Sequence, residues 1–263
     1  PERYGDEEGT SKIFNYFGKI LHPIITLKDA INRKRLVKYN YYPKFVNLNY
    51  EEKIKWDELT EKINQQNLYA KRDRNGKLLK GKNENLEMLY FNRARIAKKA
   101  NHKISVVVDI LHEQYEEGSF WLVFCEDDEQ LKELNTIIND KNIGKTLVYQ
   151  SKYKESTNTQ ELQNFILTGG IMLSIRCLDE GIDIPVIDHA IIISSSQNPR
   201  QFIQRRGRVL RKHESKTYAY LYDVLVLPNS TDKDSNQMNL LKSEILRAYE
   251  FSLTASNSEA TSQ

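Results

Sequence analysis

The fold of this chain is decided by residues 171–211, which read IMLSIRCLDEGIDIPVIDHAIIISSSQNPRQFIQRRGRVLR. Two apolar runs of strand length, 171–175 and 186–193, lie in this stretch, and each is followed by a polar segment. Continuous apolar runs of this length are typical of strands buried on both faces of a parallel sheet. Ligands of such sheets bind at the carboxyl ends of the strands, so the two polar segments are the first candidates for a functional site.

The first polar segment, Leu178–Pro185, reads LDEGIDIP. Gly181 allows the backbone to approach a ligand closely because it has no Cβ atom. Asp183 follows two residues later, and its carboxylate can accept hydrogen bonds from a pair of hydroxyl groups. This arrangement suits a nucleotide ribose.

The second polar segment, Gln204–Arg211, reads QRRGRVLR. It is predicted to form the last part of a helix from Pro199 to Leu210, with Arg211 directly after the helix. Arg205, Arg208 and Arg211 share one face at three-residue spacing. Three guanidinium groups on one face repel one another, so the face is either a solvated basic surface or a site for several negative charges. The Gly-Ile-Asp turn shortly upstream favours a phosphate site.

Together the two segments resemble motifs V and VI of superfamily 2 helicases. In that family the last two arginines of the pattern Gln-Arg-x-Gly-Arg-x-x-Arg act as arginine fingers on ATP, which implies this catalytic role for Arg208 and Arg211. The resemblance assigns the remaining matched positions to nucleotide binding: Gly181, Asp183, Gln204 and Arg205. It also implies a RecA-like parallel sheet with helices on both faces.

The resemblance is most specific to the branch of excision-repair helicases and restriction-enzyme motor subunits, which write motif V as Leu-Asp-Glu-Gly-Ile-Asp-Ile-Pro. Pro1-Glu2-Arg3 is similar to the end of that family's Ser-Ala-Thr-Pro-x-Arg motif, and Tyr16-Phe17-Gly18 is similar to the helix that follows it. The resemblance therefore implies that the chain starts within a longer protein. Residues 1–20 are interpreted as a connector from an N-terminal motor lobe.

Composition restricts the class of protein but not its function. The chain has 263 residues, 39% of them hydrophobic, and a net charge of only +3, so nucleic-acid binding cannot be argued from total charge. Its two cysteines, Cys125 and Cys177, each end an apolar run and are predicted to be free buried thiols. No histidine or cysteine spacing typical of a metal site and no membrane-spanning run is present. We therefore expect a monomeric, cytoplasmic fragment without a metal of its own and without membrane contact.

Alternating helix and strand patterns from Ile104 onward predict an α/β fold, and the lobe is predicted to span 21–228. Residues 1–50 add two predicted strands, at 24–27 and 41–48. The later strands are predicted at 120–125, 146–150, 171–175, 186–193 and 217–227. Residues 49–100 show helical periodicity interrupted by a charged loop, which predicts a helical hairpin insertion. The hairpin is either a thumb-like nucleic-acid contact or a solvated spacer. Residues 229–263 are predicted to form a linker, a helix with Leu241, Ile245, Ala248 and Phe251 on its buried side, and a disordered end from Thr254.

Nucleic-acid contacts are predicted in two places. The segment Lys71–Lys103 holds eleven Lys or Arg residues against three acids, whereas 113–133 is acidic except for Lys132. We expect the hairpin loop to track phosphates through Lys77, Lys80 and Lys82. The family's phosphate-binding threonine is replaced here by Ile175, which leaves three alternative contacts near the strand ends: Ser151, Ser174 and Arg176.

A P-loop is not found in the sequence. Gly144-Lys145-Thr146 ends like one, but Asn139 stands where the pattern needs glycine, and the triplet precedes a strand instead of a helix. The resemblance therefore implies that an upstream RecA-like lobe of the same protein holds the phosphates of ATP and Mg²⁺. We predict the C-terminal half of an ATP-dependent helicase or translocase acting on DNA, with the isolated chain inactive. The alternatives are a restriction or phage-defence motor and a nucleic-acid-binding module without ATPase activity.

Overall fold

A computed structural model describes residues 7–18, 20–74, 76, 78–79, 81–149, 155–175, 184–193, 207–227 and 238–261. Within these residues the strands are β1 (Lys38–Asn47), β2 (Phe120–Cys125), β3 (Thr146–Tyr149), β4 (Gly170–Ile175), β5 (His189–Ile192) and β6 (Tyr218–Leu227). They form one sheet in the order β1-β6-β5-β2-β4-β3, and every neighbouring pair is parallel. The predicted parallel sheet is therefore confirmed.

Helices cover both faces of the sheet. In the described part of the chain they are α1 (Glu7–Phe17), α2 (Leu27–Asn32), α3 (Tyr50–Leu68), α4 (Glu84–Lys98), α5 (His102–Gln114), α6 (Asp128–Asp140), α7 (Glu155–Thr168), α8 (Met238–Ser252) and α9 (Ser258–Thr261). Alternate residues of β2 enter two separate core clusters: Trp121 and Val123 pack with α5 and α6, whereas Leu122 and Phe124 pack with α7. A strand that is buried on both sides reads as a continuous apolar run, which explains why the sequence revealed β2 so clearly.

One predicted strand is wrong, and another is shorter than predicted. Residues 24–27 do not form a strand, because Thr26 caps α2 in a capping box with Asp29, whose side chain accepts from the Thr26 backbone at 2.9 Å. The strand predicted at 186–193 is reduced to β5 at His189–Ile192, since Val186 lies in a turn after Pro185.

The predicted helical hairpin is formed by α3 and α4, which run antiparallel. Asn67 Nδ2 donates to the Tyr90 hydroxyl at 2.9 Å, and one turn further down Arg93 Nη1 donates to Thr60 Oγ1 at 3.0 Å. The Arg93 guanidinium also lies over the buried Trp56 ring, 5.2 Å from its centroid. Ion pairs fasten the base of the hairpin to the start of α6, as described below.

The buried face of α8 differs from the prediction by one helical position. Its buried side chains among the described residues are Leu240, Glu244, Arg247, Phe251 and Ser252; Phe251 is buried as predicted, whereas Ile245 is 51% exposed. The reason is electrostatic: Asp223 of β6 is fully buried, and Arg247 donates to it twice, at 3.0 and 3.1 Å. A buried carboxylate without a paired cation would cost more free energy than one further apolar contact of the helix would gain.

The end of the chain is also more ordered than predicted. Asn257 accepts from the Tyr41 backbone N–H at 2.9 Å and donates to the Tyr41 carbonyl at 3.0 Å, so its amide imitates a neighbouring strand. The Ser256 N–H donates to the Tyr39 carbonyl at 2.8 Å. Because β1 is an edge strand, these bonds satisfy backbone groups that would otherwise face solvent.

Candidate functional site

All six strands run parallel, so their carboxyl ends lie at one edge of the sheet, where ligands of α/β proteins bind. Four of the six predicted nucleotide-site residues lie outside the described residues: Gly181, Asp183, Gln204 and Arg205. The description of the site therefore rests on the residues that flank them, 184–193 and 207–216.

Arg208 and Arg211 are held by the buried residues between them. Residues 207–209 are helical, and Val209 and Leu210 are buried in the core, while both arginines are partly exposed. The Leu210 carbonyl accepts from the Val37 N–H at 2.9 Å. Arg211 lies beyond the helix in an isolated bridge with Leu36, so the predicted arginine face does not continue on one helix to this position. Because Leu36 precedes β1, Arg211 lies at the amino edge of the sheet and not at the predicted carboxyl edge.

Lys216 connects the two polar segments. Its Nζ donates to three backbone carbonyls, those of Pro185 at 2.7 Å, Ile187 at 2.8 Å and Val209 at 2.9 Å, and the residue is buried. The first carbonyl ends the first polar segment, the second lies two residues later, and the third lies between the predicted finger residues Arg208 and Arg211. Sequence reasoning missed Lys216, because a lysine in a short polar turn before a strand gives no sign of burial.

A second buried lysine lies at the end of β5. Lys103 of α5 has no exposed surface, and its Nζ donates to the Ile193 carbonyl at 2.8 Å. Burial lowers the pKa of Lys103 to about 8, and the attraction of Glu244 partly offsets this effect. Its only sequence signal was its place within a helix otherwise rich in Ile and Val.

The predicted nucleic-acid contacts at the strand ends receive little support from position. Ser174 is the second-last residue of β4 and is fully buried, and its Oγ has no hydrogen-bond partner among the described residues. A hydroxyl without accessible surface does not reach a phosphate outside the sheet in this conformation. Ser151 and Arg176 lie outside the described residues.

The basic segment Lys71–Lys103 uses much of its charge within the chain. Among the described residues of this segment, six basic side chains make internal contacts: Arg72, Arg93, Arg95, Lys98, Lys99 and Lys103. Four ion pairs join α4 to the acidic start of α6: Arg95–Asp127, Lys98–Glu126, Lys99–Asp127 and Lys99–Glu129. The segregated charges of the sequence therefore pair with one another across the base of the hairpin.

Positive charge remains at the tip of the hairpin. A cavity of about 830 Å³ opens there, and its lining includes Tyr69, Lys71, Arg72 and Lys82. Lys82 and Tyr69 are exposed, whereas the predicted partners Lys77 and Lys80 lie outside the described residues.

The P-loop-like triplet Gly144-Lys145-Thr146 leads directly into β3, as the sequence predicted. A Cβ atom at Gly144 would lie 2.5 Å from the Tyr115 ring, so close packing accounts for this glycine. Among the described residues no group of three His, Cys, Asp or Glu side chains is arranged to hold a metal ion. In the same part of the chain, no helix is both long and apolar enough to span a membrane.

Comparisons with known proteins agree with this geometry. Residues 102–213 match the family described as the helicase conserved C-terminal domain. The DNA 3'-5' translocase XPB2 of Sulfurisphaera tokodaii is 29% identical over 216 residues, which cover 75% of this chain and 46% of XPB2. A protein of Sulfolobus islandicus filamentous virus (isolate Iceland/Hveragerdi), named as a helicase, is 30% identical over 112 residues, 42% of this chain and 19% of its own length.

Among solved structures, the C-terminal part of the Fun30 ATPase domain superposes with a TM-score of 0.54 at 13% identity, covering 80% of this chain and 90% of that one. This likeness concerns the fold alone. The chain spans less than half the length of the two curated relatives. Residues 102–213 therefore resemble the C-terminal RecA-like lobe of superfamily 2 helicases, and the similarity of the chain to XPB2 fits the excision-repair branch.

Proposed function

We propose that this chain is the second lobe of an ATP-dependent DNA translocase or helicase and that Arg208 and Arg211 stabilise the transition state of ATP hydrolysis. The observation that carries the proposal is the anchoring of residues 207–211 in a helicase C-terminal lobe. Val209 and Leu210 are buried, whereas the arginines on either side keep access to solvent. Such a backbone fixes the positions from which the two arginine side chains extend.

The described residues fit the role of an accessory lobe for ATP. They offer two partly exposed arginines, Arg208 and Arg211, but the one Gly-Lys-Thr triplet precedes a strand, and they contain no cluster of metal ligands. In this proposal an upstream RecA-like lobe binds the phosphates and Mg²⁺. Planar guanidinium groups then stabilise the charge that develops on the transferring phosphoryl group.

Two surfaces support contacts beyond ATP. Large apolar side chains between residues 16 and 25 are 46–87% exposed: Tyr16, Phe17, Ile20, Leu21, Ile24 and Ile25. An exposed apolar stretch of this kind fits a docking surface for another lobe of the same protein. At the hairpin tip, lysines and the exposed Tyr69 suit a nucleic-acid strand, with cations for phosphates and a ring for a base. The similarity to a DNA translocase favours DNA.

The test is ATP turnover by a polypeptide that carries both proposed lobes. Arg208→Lys and Arg211→Lys should each lower DNA-stimulated kcat by about a thousand-fold or more, because a lysine point charge does not reproduce the planar contact of an arginine finger. The affinities for ATP and DNA should change far less, since the arginines act mainly in the transition state.

Arg206→Lys is the matched control, since Arg206 lies off the predicted arginine face. The finger assignment is wrong if Arg206→Lys is equally damaging, or if a folded Arg208→Lys or Arg211→Lys variant keeps near-normal turnover. The 263-residue chain alone should hydrolyse no ATP. DNA-stimulated hydrolysis by that chain would refute the proposed division of labour between lobes, and DNA binding without any turnover by both lobes together would favour a binding module.

A further inference from the structure

Lys216 lies where the two polar segments of the predicted site meet. An ammonium group has three N–H donors, and here each reaches a different carbonyl oxygen at 2.7–2.9 Å. Two of the carbonyls belong to Pro185, the last residue of the first polar segment, and to Ile187, two residues later. The third belongs to Val209, the residue after Arg208.

The local chain path fixes the position of this lysine. The backbone turns back at 213–216, where the Lys216 N–H donates to the His213 carbonyl at 3.1 Å. Val209 stands at the last helical position, where carbonyls have no partner within the helix. The Lys216 ammonium supplies that partner, and the Leu210 carbonyl is occupied by the Val37 N–H.

The surroundings of Lys216 make this arrangement rigid. Ile184, Ile187, Val209 and Leu210 are buried in the same core cluster. In an interior of low dielectric, hydrogen bonds to a charged donor are stronger than neutral ones, and water is not at hand to replace them. The loss of the ammonium would leave the buried carbonyls of Ile187 and Val209, and the partly buried carbonyl of Pro185, without this donor.

We propose that Lys216 is a positioning residue that fixes the Arg208–Arg211 backbone relative to the backbone of residues 185–187. This role rests on the proposed ATPase function, because it concerns how the arginines are aimed. A displacement of about 1 Å at a reacting centre can lower the rate about a hundred-fold. Lys216 itself does not touch the nucleotide in this proposal and acts only through the two backbone segments.

The first experiment measures amide hydrogen exchange in the 263-residue chain. Lys216→Met should accelerate exchange at least tenfold in 184–188 and 207–211, while β2 and β4 keep their protection. Lys103→Met is the matched control, because it removes another buried lysine that donates to a backbone carbonyl outside both segments. If exchange in 184–188 and 207–211 rises no more in Lys216→Met than in Lys103→Met, the proposal is overturned.

The second experiment measures turnover in the polypeptide with both lobes. Lys216→Met should lower kcat about a hundred-fold, while the KM for ATP changes less than about threefold, which is the signature of misaimed transition-state groups. A parallel rise in KM with normal kcat would contradict the positioning role.

If Lys216→Met does not fold, Lys216→Arg carries both measurements. Arginine keeps the positive charge and the N–H donors, but its donors lie in one plane and do not match the positions of the three carbonyls. We therefore expect kcat to fall at least tenfold, while thermal unfolding stays cooperative. Wild-type kcat in this variant would overturn the proposal. A wild-type protein without ATP hydrolysis would instead refute the proposed function, and the exchange experiment would still decide whether Lys216 holds the two segments together.

Discussion

Removal of the Arg247 guanidinium should destabilise the fold more than any surface ion pair would. Arg247 donates to Asp223 at 3.0 and 3.1 Å and to Glu244 at 3.1 and 3.3 Å, and all three side chains are at most 5% exposed. After Arg247→Met, Asp223 keeps the Tyr41 hydroxyl as a donor, and Glu244 keeps the Val226 N–H. Two buried carboxylates would then lack a hydrogen-bonded cation.

The expected cost follows from this arrangement. Breaking a buried ion pair by removing one partner costs about 3–5 kcal/mol of unfolding free energy. For a domain of this size, each kcal/mol lowers Tm by roughly 2–4 °C, so we expect a decrease on the order of 10 °C. Burial and the Asp223 carboxylate raise the pKa of Tyr41, so its hydroxyl stays protonated and donates in both proteins. Urea unfolding followed by circular dichroism measures the free energy directly.

Two further variants make the result decisive. Lys53→Met breaks the pair with Asp57, which has a similar distance of 2.7 Å but is 42% and 37% exposed, and should cost about 0.5 kcal/mol or less. Adding Asp223→Asn to Arg247→Met removes one unpaired charge and should restore part of the loss. The reasoning is refuted if Arg247→Met costs no more than Lys53→Met, or if the second substitution only increases the damage.

Two other predictions concern charge. Lys103 has a folded-state pKa of about 8, below its unfolded value, so the unfolded state binds the extra proton and stability from this group should rise between about pH 8 and 10.5. Unfolding at several pH values should show this rise in the wild type and not in Lys103→Met; identical slopes would refute it. Neutralising Lys77, Lys80 and Lys82 together should weaken DNA binding and reduce the slope of log K against log salt by about 0.7–0.9 for each lost phosphate contact. The control neutralises three exposed lysines elsewhere: Lys28, Lys132 and Lys141. An unchanged slope of log K against log salt in the loop variant would indicate that the loop is a solvated spacer without phosphate contacts.

The sequence predicted the sheet well because its strands are buried on both faces. β2 begins and ends at the predicted residues, and β4 and β6 differ from prediction by one residue at their starts. Hydrophobic pattern alone determines such strands. It does not determine the strand order, because the position of β1 beside β6 depends on contacts between residues about 180 positions apart.

The errors arose where buried residues are polar. Periodicity placed Ile245 inside and Glu244 and Arg247 outside, since charged residues are rarely buried without partners. Their partner, Asp223, lies in an apolar strand, where a single carboxylate gives no sign of the residue that it will meet. Lys216 escaped notice for the same reason. In each case the signal is a pair of residues distant in sequence, and one sequence does not show which residues pair.

The ion pairs at the base of the hairpin change how salt acts on this lobe. Arg95 is 51% exposed and Lys98 only 19%, so salt screens some of these bonds strongly and others weakly. Rising ionic strength should therefore loosen the joint between α4 and α6 as well as weaken phosphate contacts at the tip. In the wild type, the slope of log K for DNA binding against log salt combines both effects. Because the joint between α4 and α6 is the same in the loop variant, the difference between the slopes of the two proteins reports the phosphate contacts of the loop alone. The slope of the wild type by itself does not give the number of those contacts.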